Sequence, residues 1–197
     1  MQDAITRTCR TNYRAYHHEG QRQAQSIRYI VLHSTEGSTA EAAAQWFEQP
    51  GSGGSANLVV DETTCYRTLP DIVIPWGAPP LNTHGIHIEQ AGFAKWTRAE
   101  WLKHETTIER AAYKAAIRIK DYNIPAMWLD EKALEKDFGT ELENRIPKYP
   151  GLLKGGITTH AIIDRVYGQS DHTDPGDGYP HDVFMAHLKN YLAAGHV

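Results

Sequence analysis

Arg28-Tyr29-Ile30-Val31-Leu32-His33 sets four apolar residues in a row between a cation and an imidazole. A short continuous apolar run with a β-branched centre reads as a buried strand. It delivers His33 at the carboxyl end, where side chains can enter a cleft. A second run, Gly85-Ile86-His87-Ile88-Glu89, alternates strictly. In a strand that period sends Ile86 and Ile88 to one face, and His87 with Glu89 to the other. A His and a Glu on one face of an otherwise apolar strand predict a polar cleft over a sheet.

Helical patterns interleave with these strands. Ser38 and Glu41 form a capping-box pattern ahead of the Ala-rich segment 39–48, which ends before Pro50. Asn57-Leu58-Val59-Val60 and Cys65-Tyr66-Arg67-Thr68-Leu69 flank Asp61-Glu62-Thr63-Thr64, a β-hairpin pattern. Pro70 to Asn82 carries four prolines and reads as irregular, lining something with Trp76. Thr97 and Glu100 open a second capping pattern before a long helix to about Asp121, with Trp101, Ile108, Ala112, Ala115, Ile119 and Tyr122 on one stripe. Asn123-Ile124-Pro125 stops it. Residues 126–155 read as an insertion, a short acidic helix around Asp130–Phe138 followed by a Pro/Gly-rich return. Pro180 starts a last helix that buries Val183, Phe184, Leu188, Tyr191 and Leu192. The expectation is a single α/β domain over 27–197, with a central mixed sheet flanked by helices on both faces. Residues 1–26, polar and weakly patterned, read as a loose N-terminal arm.

The chain of 197 residues is long enough to bury a proper core, and 41% hydrophobic with 22% charged residues is ordinary for a soluble globular protein. A net charge of −4 with no Lys/Arg cluster excludes a polyanion-binding surface, so nucleic acid is not an expected partner. Apolar runs are too short to span a bilayer, so no membrane insertion is expected. The first residues lack the apolar core of a signal peptide, which predicts synthesis in the cytoplasm. Cys9 and Cys65 give no metal knuckle and no disulfide framework, and read as two reduced, partly buried thiols.

His172-Thr173-Asp174-Pro175-Gly176 gains its meaning from His33 and from His160, which ends Gly156-Ile157-Thr158-Thr159. Two imidazoles and a carboxylate make three ligands for Zn²⁺ and leave the fourth tetrahedral position to water, the arrangement of a catalytic site. Each residue alone has a plainer reading. His33 could be a strand-end histidine satisfied by backbone, His160 a loop cap, and Asp174 part of a good Asp-Pro-Gly turn. His172 is a rival third ligand.

Taken in order, these motifs, closed by Tyr179-Pro180, resemble the zinc-dependent N-acetylmuramoyl-L-alanine amidase family. Bacteriophage endolysins, bacterial cell-wall recycling amidases and animal peptidoglycan recognition proteins share that family. The resemblance covers about residues 27–193, and Ser170 to Gly176 is close to what endolysins of actinobacterial phages carry. It implies a peptidoglycan recognition protein-like fold and a monomer that hydrolyses the amide between N-acetylmuramic acid and L-alanine of peptidoglycan. It further implies Zn²⁺ on His33, His160 and Asp174, the last placed immediately before Pro-Gly. Glu89 matches the family's catalytic glutamate, and His172 stands where many relatives carry a Lys thought to stabilise the oxyanion. His87 stands where relatives often have Gly, and is read as a substrate contact or a structural residue. Trp76 and Asn57 are further substrate-binding candidates. Trp76-Gly77-Ala78 departs from a Trp-His-Ala-Gly pattern, so a substrate-binding histidine is missing. An endolysin acting on the wall after release is the expected setting. A non-catalytic peptidoglycan recognition module and a cytoplasmic muropeptide-recycling amidase are the alternatives.

Overall fold

The run from Tyr29 forms β2 (Tyr29–Ser34), buried at every position. In the computed structural model, which describes residues 8–139 and 153–195, β2 lies inside a five-stranded sheet. The other strands are β3 (Leu58–Val60), β4 (Cys65–Arg67), β6 (Gly85–Gln90) and β7 (Gly156–Thr159), in the order β4-β3-β6-β2-β7. β6 and β7 run parallel to β2, and β3 runs parallel to β6; only β4 is antiparallel, to β3, so the sheet is mixed. Purely parallel strands need both faces covered, and a run such as Tyr29-Ile30-Val31-Leu32 can satisfy both faces at once.

The alternation of side chains divides the helices between those faces. Ile30, Leu32, Ile86, Ile88, Leu58 and Val60 pack beneath α3 (Glu105–Tyr122) and α6 (His181–Ala194). On the other face, Tyr29 and Val31 meet α4 (Glu131–Phe138) and α5 (His160–Tyr167), and Val59 meets α1 (Ala40–Phe47). Fully burying each aliphatic side chain contributes about 1.5–3 kcal/mol. The expected α/β architecture, with helices on both faces, is therefore present. Among the described residues no helix is long and apolar enough to cross a membrane.

Several local expectations change. The cap of α1 is Thr39, not Ser38, with its hydroxyl accepting from the Ala42 N–H at 3.2 Å. The Thr97/Glu100 capping box forms, but it opens the short α2 (Arg98–Lys103). The single long helix breaks at His104 (φ −113°, ψ 32°), whose ring stacks on Trp96 at 4.7 Å and meets Glu62 Oε1 at 3.0 Å. Those contacts outweigh helix continuity. Asn123 then ends α3 in the left-handed region at φ 53°. The proline-rich stretch contains a strand, β5 (Val73–Pro75). Asp130 caps α4, whose Leu134 and Phe138 are buried, while most of the Pro/Gly-rich return lies outside the described residues.

The N-terminal segment is not loose from residue 8 onward. β1 (His18–Gln21) pairs with β5, and Ala15 is buried with Phe47 and Val73. The buried Arg22 guanidinium donates to the carbonyls of Asp71, Asn82 and Gly85. Cys9 and Cys65 form a disulfide, correcting the expectation of two free thiols. The cause is local pairing: Arg10 N–H donates to Cys65 O and Arg67 N–H to Arg10 O, both at 2.8 Å, which lays the arm along β4.

Candidate active site and metal centre

His33 shares the face of Tyr29 and Val31, one residue short of the end of β2, and is almost fully buried. His160 is the first residue of α5, directly after β7 on the neighbouring strand position; Thr159 caps that helix through the Ile162 N–H. Asp174 arrives by the loop after α5. Its carbonyl accepts from Ala161 N–H at 2.9 Å. The loop stays close because residue 176 is glycine. Gly176 has φ +92°, and a Cβ there would lie 1.9 Å from the Ala94 carbonyl oxygen.

These elements bring the three predicted ligands together. Asp174 Oδ2 lies 3.0 Å from His33 Nδ1, and Asp174 Oδ1 lies 3.2 Å from His160 Nδ1. One donor atom from each of the three buried residues falls within 4.8 Å of the others. Two ligand atoms each roughly 2.0–2.1 Å from a tetrahedral zinc ion would sit about 3.3 Å apart, so the observed spacings fit that ion. The protonation states agree. Burial pushes the His33 pKa down, which favours a neutral ring, although the neighbouring Asp174 opposes this. For Asp174 burial alone would raise the pKa. Hydrogen bonds from His160, His172 and His33 outweigh it and hold the carboxyl well below the usual range. A neutral His33 ring beside an ionised Asp174 is what a divalent ion requires of those two ligands.

Glu89 pairs in register with His33 across the β2–β6 ladder. Burial, then the charges of Asp174 and Glu36, push its pKa well above the ordinary glutamate value. Its Oε2 is buried and has no hydrogen-bond partner among the described residues. Such an orphaned oxygen in a cleft is chemically available. His172 stacks on His160 (centroids 4.3 Å, 16°), with Nδ1 3.4 Å from Asp174 Oδ1. Its hydrogen bond to Asp174 raises its pKa, against partial desolvation. It therefore stands at the mouth of the cluster as a candidate donor, and the three more deeply buried groups form the candidate ligand set.

A cleft of about 490 Å³ opens over these groups, bounded by Trp46 on α1, the 52–55 segment and Trp76. Trp76 is 41% exposed, with His17 of the N-terminal segment stacked on it at 4.7 Å. Its exposed face borders the cleft. Asn57 does not border it, which corrects its reading as a substrate contact, and of the two readings of His87 its burial fits the structural one. Both are fully buried beneath the cleft floor. The Asn57 amide is consumed by the carbonyls of Pro70 and Val73 and by the His87 N–H. His87 lies under His33, its Nδ1 3.0 Å from His33 Nε2.

The sequence reading missed Asp164. It sits one helical turn after His160, with Oδ2 3.8 Å from His160 Nε2, and it accepts from Ser170 Oγ and from His172 N–H. Metal-binding histidines commonly place a carboxylate behind the ring. The i, i+4 spacing of His160 and Asp164 on one helix face was the available signal.

With this geometry in place, comparison with known proteins is informative. The chain matches the family model described as N-acetylmuramoyl-L-alanine amidase over residues 20–177. A search of curated proteins finds no match. Among solved structures, the Staphylococcus aureus hydrolase AmiA in complex with its ligand is similar at 17% identity. That alignment covers 96% of this chain and 85% of that one, with a TM-score of 0.69. A mutant endolysin from Bacillus subtilis is similar at 16% identity, covering 92% and 98%, with a TM-score of 0.57. The N-acetylmuramoyl-L-alanine amidase LysC from Clostridium intestinale URNW aligns at 16% identity, covering 92% and 99%, with a TM-score of 0.52. At such identities the structural likeness establishes the fold. The family match, which runs through most of the strands and all three converging side chains, establishes more: the chain belongs to the N-acetylmuramoyl-L-alanine amidase family.

Proposed function

We propose that the protein hydrolyses the amide between N-acetylmuramic acid and L-alanine in peptidoglycan, with Zn²⁺ held by His33, His160 and Asp174. The observation that carries this reading is the convergence of three buried donors in one cleft with Glu89, whose buried Oε2 has no hydrogen-bond partner among the described residues. When bound, zinc supplies Lewis acidity toward the amide carbonyl and lowers the pKa of a water to roughly 7. Glu89 takes the proton of the attacking water and returns it to the departing alanine nitrogen. His172 donates to the oxygen that becomes negative as the carbonyl turns tetrahedral. Asp164 and Ser170 hold the far side of His160. Trp76 contributes an aromatic wall for substrate.

The catalytic domain spans 27–197, with an insertion at 126–155, and residues 1–26 form an N-terminal arm whose described part is fastened to it by the β1–β5 pairing and the Cys9–Cys65 disulfide. The protein works as a monomer on the intact wall, as an endolysin does in lysis of its host. The Cys9–Cys65 disulfide favours this over cytoplasmic recycling, because disulfides persist in oxidising surroundings. The presence of all three ligands and the glutamate favours an enzyme over a recognition module that only binds.

The test is release of alanine amino groups from defined muropeptides and from intact sacculi. Activity on both, lost to a chelator and restored by Zn²⁺, is the expected result. Binding without amine release would reduce the protein to a recognition module. Activity confined to small anhydro-muropeptides would make it a recycling enzyme.

A further inference from the structure

The buried His87 ring, which the proposed reaction leaves unused, lies behind one metal ligand. We propose that His87 is a positioning residue: its Nδ1 receives the Nε2–H of His33, which turns the His33 Nδ1 lone pair toward the cation, and residue 77 is glycine to admit the ring. The inference rests on the reading of His33 as a zinc ligand.

Four observations carry it. The His33 Nε2 to His87 Nδ1 separation is 3.0 Å and both rings are buried, so no water competes for the bond. The rings overlap, with centroids 5.2 Å apart and planes at 28°. The backbone of His87 is pinned on both sides, donating to Asn57 Oδ1 and accepting from Asn57 N–H at 3.1 Å each. Finally, a Cβ on residue 77 would lie 2.2 Å from His87 Nδ1, the very atom that meets His33. Gly77 does not have a positive φ, so an alanine there would be excluded by this ring and not by its own backbone.

The direction of the hydrogen bond follows from what each nitrogen faces. A neutral imidazole has one N–H and one lone pair, and the partner of one nitrogen decides which is which. If His87 donated, the His33 proton would sit on Nδ1 and point at the cation. His33 Nδ1 lies 3.0 Å from Asp174 Oδ2, a gap that a proton bridges when no cation is present; a cation takes the place of that proton, so His33 then carries its proton on Nε2, donates it to His87 Nδ1, and the His87 proton sits on Nε2. That nitrogen is buried and has no hydrogen-bond partner among the described residues, so no donor there demands a lone pair. A carboxylate or carbonyl is the usual support behind a metal-binding histidine. Here a second imidazole performs the task.

The test combines zinc affinity by chelator competition with nitrogen-15 NMR of the zinc-loaded wild type. His87→Ala is expected to weaken zinc about 10–100-fold. His87→Asn, which puts an acceptor where Nδ1 was, restores most of that loss, whereas His87→Leu does not. Gly77→Ala reproduces the loss, and adding it to His87→Ala costs nothing further, because the ring it would strike is gone. The NMR spectrum should show protons on Nε2 of both His33 and His87. Unchanged zinc affinity in folded His87→Ala, or equal affinity in His87→Asn and His87→Leu, overturns the proposal. Should every variant at 87 fail to fold, a proton on His87 Nδ1 in the wild type overturns it independently. A wild type that binds no zinc would refute the metal reading itself, while tight zinc binding that ignores residues 77 and 87 refutes only this inference.

Discussion

The two faces of the central sheet are made by the same strands and have opposite requirements. Toward α3 and α6, Ile30, Leu32, Ile86 and Ile88 form an apolar layer, which gives way to the buried Ser34 and Gln90 at the carboxyl ends of the strands. One residue along in each strand, the other face begins with Tyr29 and Val31 and ends with His33, His87 and Glu89. The first face needs volume and hydrophobicity, and tolerates exchanges that keep both. The second needs particular atoms at particular separations. It keeps Glu89 Oε2 and His87 Nε2 buried without full hydrogen bonds, at a cost of about 1–3 kcal/mol each. Stability generated on one face thus tolerates the strain of chemistry on the other.

This contrast breaks if a change on the site face damages the fold more than the reaction. Glu89→Gln is the sharpest case. It should reduce amine release about 10²–10⁴-fold with zinc content and unfolding midpoint preserved; unimpaired turnover would remove Glu89 from the mechanism. The pH profile adds a sign. A base must be deprotonated, and a raised pKa keeps it protonated to higher pH. The acidic limb of kcat/KM should therefore lie above the ordinary glutamate range. A cation would blunt the contribution of Asp174, but burial, the larger cause, remains. A limb at the usual carboxylate value would contradict this.

Ile88→Ala probes the opposite face. The expected loss is about 2–5 kcal/mol in denaturant unfolding, with zinc affinity unchanged while the chain stays folded. Zinc loss at unaltered stability would erase the distinction between the faces. Asp164→Ala should weaken zinc about 10–100-fold, measured by chelator competition, since it removes the carboxylate behind His160. The exposed Arg98–Asp182 pair is the small-effect control. Arg98→Ala should leave both the unfolding midpoint and activity essentially unchanged, because solvent screens an exposed pair; a clear drop in the midpoint would show that α2 and α6 are held mainly by that ion pair.

What could be read from the chain divides along the same line. A continuous apolar run exposed β2, and strict alternation exposed β6 and the face shared by His87 and Glu89, because side-chain direction in a strand follows from sequence spacing alone. The order of His33, His160 and Asp174 exposed the candidate ligands, although 141 positions separate the ends of the set. Depth was not legible. His87 has the same period as Glu89, yet Gly77 lets its ring sink under His33, and only the fold brings those residues together. The disulfide was hidden for a similar reason. Two cysteines 56 residues apart say nothing of pairing until the backbone of Arg10 is laid beside Cys65. The break at His104 depends on Trp96 and Glu62, which no helical periodicity contains.

Zinc titration of the purified protein and of its His33→Ala, His160→Ala and Asp174→Ala variants tests the account most directly. One tightly bound ion per wild-type chain, and none retained by any of the three folded variants, is the predicted result. Full zinc occupancy in folded Asp174→Ala would hand the third position to His172, and occupancy undiminished in all three would contradict the metal centre altogether.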